Sequence, residues 1–527
     1  MVRKEIQDLL LESLKELQKN KALPVFDLPE IKLDKPEEGS HGDYSSNIGM
    51  ITAKQAKIDP KEAAGLIKTA LEKLCPDMFE KIEIAGPGFI NFFVSKGYLI
   101  KEIEDILDKK DKFGDLKIGK GGKVNIEFIS ANPTGPLTVG NSRGGVIGDV
   151  LSNIFLKAGW RVTREYYFND AGGQIDILGH SILKDEQAEY KGEYIDTLGK
   201  KLGQGDAREI GEKAASILIE EIKKTTKKMG IKFDVWTAEG KDLRKKGKVE
   251  EIIDWIRKKN LAYEKDGALW FKSTQFGDDK DRVLIKNNGE PTYFALDCAY
   301  HKNKFVDRKF DRAINIWGAD HYGDIARIKG FVKELGYKDR FDILINQFVR
   351  IIKDGEEVRM SKRTGTYVSI DELIDEVGLD VTRFFFLTKS SDTHLNFDLN
   401  LAKQQSEKNP VYYVQYAYAR ICNILRKAKN IKTKPKSLFE HPSELNLVKQ
   451  LMRLSEIVED TVKDYQVQRM PQYARDLATS FHKFYQDCRV ISEDKELTKS
   501  RMTLVLATKI VLKNTLDLMG VSAPEKM

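Results

Sequence analysis

The sequence predicts an α/β protein in three parts, with a parallel-sheet domain between a small α+β module and a helical bundle. Between residues 124 and 400, short apolar runs alternate with helix-like segments, which is typical of a doubly wound parallel sheet. Before them, an amphipathic helix pattern precedes alternating β-branched and aromatic residues around a Gly-Pro-Gly turn. After residue 402, glycine and strand signals almost vanish and apolar residues recur at helical spacing, which indicates a bundle.

The length of the chain predicts several domains. With 527 residues it is too long for one core, and we expect domains at residues 1–110, 120–400 and 402–527. A charged, glycine-rich linker covers 108–123. No run of 18 apolar residues occurs, which argues against a membrane span. Acidic residues interrupt the N-terminal helix pattern, so it lacks the apolar core of a signal peptide, and we expect a cytoplasmic location.

Local patterns predict the individual elements in order. A helix is expected over the first 20 residues, and strands around the turn in "KIEIAGPGFINFFVS". The clearest strands of the parallel sheet are "VNIEFI" (124–129), "RVTREYYF" (161–168), "DRAINIWGAD" (311–320) and "DILINQFVRII" (342–352). Helices of the bundle include "LVKQLMRLSEIVEDTV" (447–462) and "ARDLATSFHKFYQDCRVI" (474–491).

The cysteine spacing and the charge distribution indicate which kinds of site and partner to expect. The four cysteines share no C-x-x-C spacing, which favours small buried side chains over disulfides or a zinc site. Formal net charge is +7, and residues 402–527 hold 22 Lys and Arg against 14 Asp and Glu. This basic excess suits nucleic acid, although a solvated charged face remains the alternative.

Residues 130–149, "SANPTGPLTVGNSRGGVIGD", form a glycine-rich junction between a predicted strand and a helix. Glycines let the backbone approach a ligand, and the start of a helix offers unpaired N–H groups to a phosphate. A tight turn without a ligand is the alternative.

A second segment, "VRMSKRTGTYVSIDEL" (358–373), places Arg359, Lys362 and Arg363 around a Met-Ser pair. It ends in a Ser-x-x-Glu box, Ser369 to Glu372, which predicts a helix start. Cations on such a glycine-containing loop suit a polyphosphate, while an ordinary basic surface loop is the alternative.

Together the two segments resemble the two signature motifs of class I aminoacyl-tRNA synthetases. The flanking sequences resemble the arginyl-tRNA synthetases nearly end to end, in "SANPTGPL", "FNDAGGQIDILG", "GEPTYFALDCAYH", "IWGADHYGDIARI", "HGDYSSNIGM", "AGPGFINFF" and "NPVYYVQYAYARICNILRKA". The resemblance implies a Rossmann-type catalytic domain with insertions, an N-terminal module that recognises the tRNA elbow and a C-terminal helical anticodon-binding domain. The implied reaction is ATP-dependent activation of L-arginine to arginyl-adenylate, followed by transfer to the 3′ end of tRNA(Arg).

One departure from the family pattern lies in the first motif. Where the family has His-x-Gly-His, this chain has Thr138-Val139-Gly140-Asn141, which retains a hydroxyl and an amide donor but no imidazole. Tryptophanyl-tRNA synthetases typically show the same replacement, so we expect an active enzyme. A catalytically silent tRNA-binding paralogue and a nucleotidyl-transferring relative that does not use tRNA remain the alternatives.

The resemblance also assigns roles at the active site. The expected ATP-binding residues are Thr138, Gly140, Asn141, Lys362 and Arg363, and Lys362, Thr138 and Asn141 are the expected catalytic ones. Mg²⁺ is expected to enter with ATP, held mostly by its phosphates, and neither zinc nor a protein metal site is expected.

Arginine recognition requires acceptors for a planar, permanently charged guanidinium. The resemblance implies Glu127, Ser130, Asn132, Tyr293, Asp297 and His321 for this pocket. Glu127 interrupts an apolar strand, where a carboxylate is costly to bury unless paired. Asp297 and Tyr293 share a face only if their segment is helical.

Contacts with tRNA are expected at both ends of the chain. By resemblance, Phe89 and Asn91 contact the tRNA elbow. Recurring at nearly helical spacing beside a basic stretch, a second group suits splayed anticodon bases: Tyr413, Tyr416, Tyr418 and Arg420. Core packing remains the alternative for part of these aromatic residues. We expect a monomer with no membrane partner.

Overall fold

The first part of the chain is an α+β module, in a computed structural model that describes residues 1–358, 369–428 and 439–527. Its elements are α1 (Val2–Lys19), β1 (Tyr44–Ser46), α2 (Ile48–Ala56), α3 (Pro60–Leu74), β2 (Phe79–Ala85), β3 (Phe89–Val94) and α4 (Lys96–Lys109). The strands pair antiparallel in the order β1-β3-β2. The predicted turn between β2 and β3 carries Gly86 and Gly88 at φ +52° and +120°, which glycine adopts without strain.

The middle of the chain alternates strands and helices as predicted. Its elements are β4 (Lys123–Glu127), α5 (Val139–Lys157), β5 (Arg161–Phe168), α6 (Gly173–Leu183), α7 (Glu193–Leu202), α8 (Ala207–Lys228), β6 (Val235–Ala238), α9 (Lys248–Lys258), β7 (Ala262–Lys265), β8 (Ala268–Phe271), β9 (Arg282–Ile285), α10 (Tyr293–Lys302), β10 (Arg312–Gly318), α11 (Ile325–Glu334), β11 (Phe341–Asn346), β12 (Val349–Lys353), β13 (Glu356–Val358), α12 (Ile370–Val377), α13 (Leu379–Phe386), β14 (Leu395–Asp398) and α14 (Leu399–Ala402).

Within the described residues, five of these strands form a parallel sheet in the order β11-β10-β4-β5-β6. Because all five run the same way, their carboxyl ends meet at one edge, where ligands bind in open α/β sheets. Helix α5 follows the central strand and packs closely against it. A Cβ on Gly148 would lie 2.2 Å from the Phe128 ring, so glycine at this position sets the close approach of helix and strand.

Two insertions interrupt the parallel sheet. Helices α6, α7 and α8 lie between β5 and β6, and the antiparallel strands β7-β8-β9 lie with α9 and α10 between β6 and β10. A further sheet, in the order β13-β12-β14, follows β11. The second insertion packs with α11 in a separate apolar core that includes Ile252, Phe271, Phe294 and Phe331.

The predicted strand 342–352 is wrong as one element, because it divides at Gln347 and Phe348 into β11 and β12. The amide of Gln347 donates to the Ser391 carbonyl at 2.8 Å, so the chain leaves the parallel sheet there. β12 then pairs with β13 and β14. The polar pair Asn346-Gln347 interrupts the apolar pattern here, but nothing in the sequence pattern indicates that the chain changes sheets.

The last part of the chain is helical. Its elements are α15 (Pro410–Lys427), α16 (Pro442–Met452), α17 (Leu454–Asp464), α18 (Arg469–Asp487) and α19 (Lys495–Met519). One continuous apolar core includes Ile6 of the first module, Phe155 of α5 and Leu512 of α19. The predicted fold class is therefore confirmed, with an α+β module, a parallel α/β domain with insertions and a helical C-terminal region.

The environments of the four cysteines and the polarity of the helices can also be described. Cys298, Cys422 and Cys488 are buried, as expected for small apolar side chains, whereas Cys75 is half-buried. In the part of the chain that is described, every helix is too short or too polar to cross a bilayer.

Candidate active site

A cavity of about 640 Å³ opens at the carboxyl edge of the parallel sheet, beside the start of α5. The first-motif residues Thr138, Gly140 and Asn141 line one side of it. Trp317 to Asp320, at the end of β10 and directly after it, line the other side. The cavity thus lies where a phosphate-bearing ligand would meet the N–H groups at the beginning of a helix.

Thr138 and Asn141 form the N-terminal cap of α5. The Thr138 main-chain N–H and hydroxyl donate to Asn141 Oδ1 at 3.4 and 2.8 Å, and the Asn141 main-chain N–H donates back to Thr138 Oγ1 at 3.4 Å. This reciprocal arrangement is a capping box. The Asn141 Nδ2 group has no hydrogen-bond partner among the described residues, so it is the side-chain donor of this pair that a ligand could engage.

The described residues on either side of Arg359, Lys362 and Arg363 lie beside the same cavity. β13 ends at Val358, and Ser369 forms a β-bridge with Thr138. The predicted capping box from Ser369 to Glu372 is present and begins α12. Lys362 and Arg363, with Arg359, lie outside the described residues. The chain therefore leaves at a strand of the cavity wall and returns directly against the first motif.

An aromatic pair that the sequence did not predict also lines this cavity. The rings of Phe348 and His394 stack with centroids 6.2 Å apart and planes 11° apart. Phe348 is 59% exposed, so its ring is accessible to a ligand in the cavity. The pair offers a flat face on which a heterocyclic ring could stack.

Asp297 lies at the centre of an acidic cluster on the insertion side of the sheet. It belongs to α10, so it shares a helix face with Tyr293 as the spacing requires. Its carboxylate accepts no hydrogen bond from the described residues. Burial, together with the charges of Asp324, Glu127 and Glu239, raises the pKa of Asp297 to about 7, and Arg327 opposes this shift. An unpaired, desolvated carboxylate among other carboxylates is a site for a cation.

Glu127, at the end of β4, is buried and paired. Its Oε2 accepts a hydrogen bond from Lys304 Nζ at 2.6 Å, and Lys304 itself is fully buried. The lysine also donates to Asn315 Oδ1 at 2.9 Å. The other oxygen of Glu127 accepts no bond from the described residues, which leaves one acceptor for a ligand.

His301 joins this pair to the helix that carries Asp297. Burial, reinforced by Lys304, lowers the pKa of His301 to about 3, so the ring is neutral. Its Nδ1 lies 2.7 Å from the Asp297 carbonyl and its Nε2 lies 3.1 Å from Asn315 Nδ2. Hydrogen bonds through Lys304, Asn315 and His301 therefore link the Glu127 carboxylate to the main chain at Asp297.

The remaining acidic groups of the cluster have partners. Glu239 accepts bonds from the Tyr167 hydroxyl at 2.9 Å and from Arg244, and burial raises its pKa. Asp324 pairs with Arg327 and lies 3.3 Å from His321 Nδ1. That contact with Asp324 raises the pKa of His321, which is exposed on the turn after β10.

Ser130 and Asn132 follow Glu127 on a strained stretch of backbone. Ile129 and Ser130 have φ of +67° and +42°, a region that non-glycine residues rarely adopt. The Ser130 hydroxyl oxygen accepts the Tyr167 amide at 3.1 Å, and Asn132 Nδ2 donates to Gln174 Oε1 at 2.6 Å. Of the predicted arginine-binding residues, Tyr293 is 59% exposed at the rim.

An aromatic and cationic surface lies on the helical region. Arg420 donates to the Tyr416 hydroxyl at 2.8 Å, and its guanidinium lies 4.6 Å from the Tyr416 ring centroid and 5.3 Å from that of Tyr485. Tyr413 bonds Thr479 nearby, whereas Tyr418 is buried in the core. The predicted tyrosines thus divide between the surface and the core.

The two predicted elbow contacts lie on β3 in different surroundings. Phe89 is partly exposed at the end of the strand. Asn91 is buried, and its Oδ1 accepts a bond from the Ser45 hydroxyl at 2.7 Å. Phe89 is therefore the more accessible of the two.

Sequence reasoning missed Lys304, Glu239, Phe348 and His394. Lys304 and Glu127 are 177 positions apart in the sequence, and neither lies in a local pattern that predicts their contact. The one signal in the sequence near Phe348 is the polar pair directly before it in "DILINQF". Among the described residues, no group of three or more side chains is arranged to hold a metal ion.

Comparisons with known proteins agree along the whole chain. Family models match for the arginyl-tRNA synthetase N-terminal domain at residues 4–94, the class I (R) tRNA synthetase catalytic domain at 102–200 and 184–395, and the DALR anticodon-binding domain at 414–527. Curated arginine–tRNA ligases of Acetivibrio thermocellus and of Caldanaerobacter subterraneus subsp. tengcongensis are each 43% identical, over 100% of this chain and 99% of their own. The solved structure of Thermus thermophilus arginyl-tRNA synthetase shares the fold, with a TM-score of 0.79 at 22% identity and full coverage of both chains.

Proposed function

The chain belongs to the arginyl-tRNA synthetases, a class I family, and from this premise we propose which of its residues carry arginine–tRNA ligation. The reaction has two steps. The arginine carboxylate attacks the α-phosphate of ATP to form arginyl-adenylate, and the bond to the leaving pyrophosphate breaks. The terminal ribose hydroxyl of tRNA(Arg) then attacks the arginyl carbonyl, and AMP leaves.

Asp297 is the proposed main acceptor for the arginine guanidinium. Its unpaired carboxylate within the acidic cluster is the observation that carries this assignment. A guanidinium placed there neutralises repulsion that the free protein bears, and its planar N–H groups suit a carboxylate. A neutral analogue gains neither benefit, so the pocket rejects it without a separate editing domain.

Glu127 is the proposed second acceptor, through the oxygen that Lys304 leaves unbonded. Lys304 neutralises part of the charge of this carboxylate, so it permits burial of Glu127 and holds its orientation. Ser130 and Asn132 are proposed for the α-amino and carboxylate groups of arginine, with Tyr293 and His321 at the rim. Their support is position, since Ser130 and Asn132 follow Glu127 along the chain and His321 bonds Asp324.

ATP is proposed to occupy the cavity beside α5. The N–H groups around Gly140 and the Asn141 amide would donate to its phosphates, and the Thr138 hydroxyl would orient that amide. Phe348 and His394 would stack on the purine. Lys362 and Arg363 are assigned to the leaving pyrophosphate because Ser369 returns the chain to Thr138. Mg²⁺ would enter with ATP and keep most of its water ligands.

Catalysis at such a site relies on position and charge. Phosphoryl transfer needs little covalent help from the protein, so the site must align the two reactants and stabilise the developing charge. Thr138 and Asn141 can supply hydrogen bonds to the phosphate oxygens but no positive charge. We therefore assign most charge stabilisation to the cations of the second motif and to Mg²⁺.

Recognition of tRNA is proposed at both ends of the chain. Tyr413, Tyr416 and Arg420 provide stacking faces and a cation for anticodon bases. Phe89, with Asn91 beside it, would meet the tRNA elbow. We further propose that residues 1–110, 120–400 and 402–527 act as elbow-binding, catalytic and anticodon-binding domains of a cytoplasmic monomer.

The Asp297→Asn variant tests the arginine pocket. We expect the KM for arginine in tRNA charging to rise about 100-fold or more, because a buried charge pair is lost, while the KM for ATP stays within about twofold. Preference for arginine over the neutral analogue citrulline should fall in parallel. Glu334→Gln, which removes an exposed carboxylate from α11, is the matched control. An unchanged KM for arginine in Asp297→Asn would refute the assignment.

A further inference from the structure

Arg143 is a fully buried arginine on α5, and among the described residues its guanidinium hydrogen-bonds only main-chain oxygens. It faces the segment after α13 and the chain between β11 and β12. Its acceptors are the carbonyls of Gln347, Phe386, Lys389, Ser390 and Thr393, at 2.7 to 3.5 Å. A buried cation is costly, and burial lowers the pKa of Arg143 to about 10. A full set of acceptors offsets that cost.

Two of these acceptors directly precede the aromatic pair of the ATP cavity. Gln347 precedes Phe348, and Thr393 precedes His394. The Arg143 Nη1 group donates to both carbonyls, at 3.2 and 2.8 Å. The two strands are also joined by the bonds from Gln347 N to the Ser391 carbonyl and from Leu395 N to the Phe348 carbonyl. One guanidinium group therefore ties together the two stretches of backbone whose side chains stack.

We propose that Arg143 is a positioning residue for nucleotide binding, which holds Phe348 and His394 stacked so that they receive the purine of ATP. This rests on the proposed ATP site. The guanidinium supplies five N–H donors in a fixed plane, which a lysine ammonium cannot reproduce. The same residue ties the signature helix α5 to β12, the strand that leads through β13 to the second motif.

A comparison of ATP with inorganic tripolyphosphate, which lacks the purine, tests the proposal by titration calorimetry on the full chain. We expect Arg143→Lys to weaken ATP binding about tenfold, because base stacking is lost, and to leave tripolyphosphate binding within about twofold. Arg143→Gln, which removes the buried charge and is thus easier to fold, should act in the same direction. Equal weakening of both ligands would reduce Arg143 to a structural role and overturn the proposal.

Arg383 provides a matched control. It is also fully buried, and it bonds the carbonyls of Met229 and Met519 and the carboxylate of Asp149, away from the cavity. Arg383→Lys should lower the unfolding midpoint without changing the ratio of ATP to tripolyphosphate affinity. If it changes that ratio as much as Arg143→Lys does, the effect is not specific to the aromatic pair, and the proposal fails.

Phe348→Ala completes a double-mutant cycle. Alone it should weaken ATP binding about tenfold, and Arg143→Lys should add little in its background, because both changes remove one interaction. Full additivity would contradict the proposal. These binding measurements do not require tRNA charging. If the protein shows the purine-specific effect but does not charge tRNA, the ligase assignment is refuted. The proposal that Arg143 positions the aromatic pair for nucleotide binding would still hold.

Discussion

Asp297, the proposed acceptor for arginine, is a carboxylate whose charge changes near neutral pH. Burial and three neighbouring carboxylates raise its pKa to about 7, so the group is partly protonated in the free protein near neutral pH, and pairing with a guanidinium favours its ionised form. The raised pKa also has a stability consequence. The stabilisation of the fold by protonated Asp297 is complete below the pKa that this group has in the unfolded chain. It is lost as the pH rises through 7.

We predict that arginine binding weakens as the pH falls below 7. The KM for arginine should rise about tenfold per pH unit below that value, since only ionised Asp297 pairs with the cation. The shift in unfolding midpoint caused by arginine should likewise be larger at pH 8 than at pH 6. In Asp297→Asn the KM should be high and flat with pH. A wild-type KM that does not vary from pH 8 to 6 would contradict the role of this carboxylate.

The pair of Glu127 and Lys304 allows stability and binding to be separated. Glu127→Gln leaves a fully buried lysine without its counter-charge, so the free energy of unfolding should fall by about 3–5 kcal/mol. Adding Lys304→Met should restore most of that stability, measured by guanidinium chloride unfolding. Arginine affinity should stay low in the double variant, because the acceptor is still missing. Recovery of both properties together would mean that Glu127 serves the fold alone.

Both carboxylates could be named as candidate site residues from the sequence, but the residues that surround them could not. Glu127 was identifiable because an acid in an apolar strand needs a partner, and the partner exists. That it is Lys304 could not be predicted, since the bond depends on how the insertion folds back on the sheet. The same holds for Phe348 and His394, which are 46 positions apart in the sequence and become neighbours only through the β12–β14 pairing.

At the scale of elements, the proposed site residues lie at the junctions between strands and helices. Strand β5 covers the same residues as the sequence pattern predicts. The predicted strand 342–352 divides instead, and this division exposes Phe348 at the cavity. Local apolar pattern predicts that a strand forms, but the sheet it joins is decided by tertiary contacts, here those of Arg143 and Ser391.

The second motif is tested through Lys362, which lies outside the described residues. We predict that Lys362→Ala lowers kcat for arginyl-adenylate formation by orders of magnitude and leaves arginine binding nearly unchanged, because its charge acts on the leaving pyrophosphate. Lys353→Ala, at the exposed end of β12, is the control for loss of a nearby charge. Kinetics of Lys362→Ala equal to wild type would remove the residue from the mechanism.

On the scale of the whole molecule, the first module and the helical region contact each other directly. Arg3 bonds Asp460 and Glu459 of α17 at 2.7 Å each, and the Tyr44 hydroxyl donates to Glu456 at 2.7 Å. Lys449 of α16 pairs with Asp43. The proposed elbow and anticodon surfaces are thus held in a fixed relation, which a rigid tRNA requires.

We predict that Arg3→Met weakens tRNA binding as well as the fold. Loss of this mostly buried cation should lower the free energy of unfolding by about 2–3 kcal/mol, since Asp460 remains partly solvated. The KM for tRNA should rise while the KM for arginine stays constant. Lys4→Met, which breaks an exposed pair with Asp8, should change stability by less than about 0.5 kcal/mol. Similar effects of the two variants would show that the Arg3 contact does not hold the first module against the helical region.

Charging of tRNA by the unaltered chain, with Thr138 and Asn141 in place, tests the central claim most directly. Purified protein, total tRNA, ATP and Mg²⁺ would be assayed with each of the twenty amino acids in turn. We predict ATP-dependent charging with arginine alone, without histidines restored at 138 and 141. Tight binding of tRNA with no charging, or charging that appears only after both histidines are introduced, would contradict it.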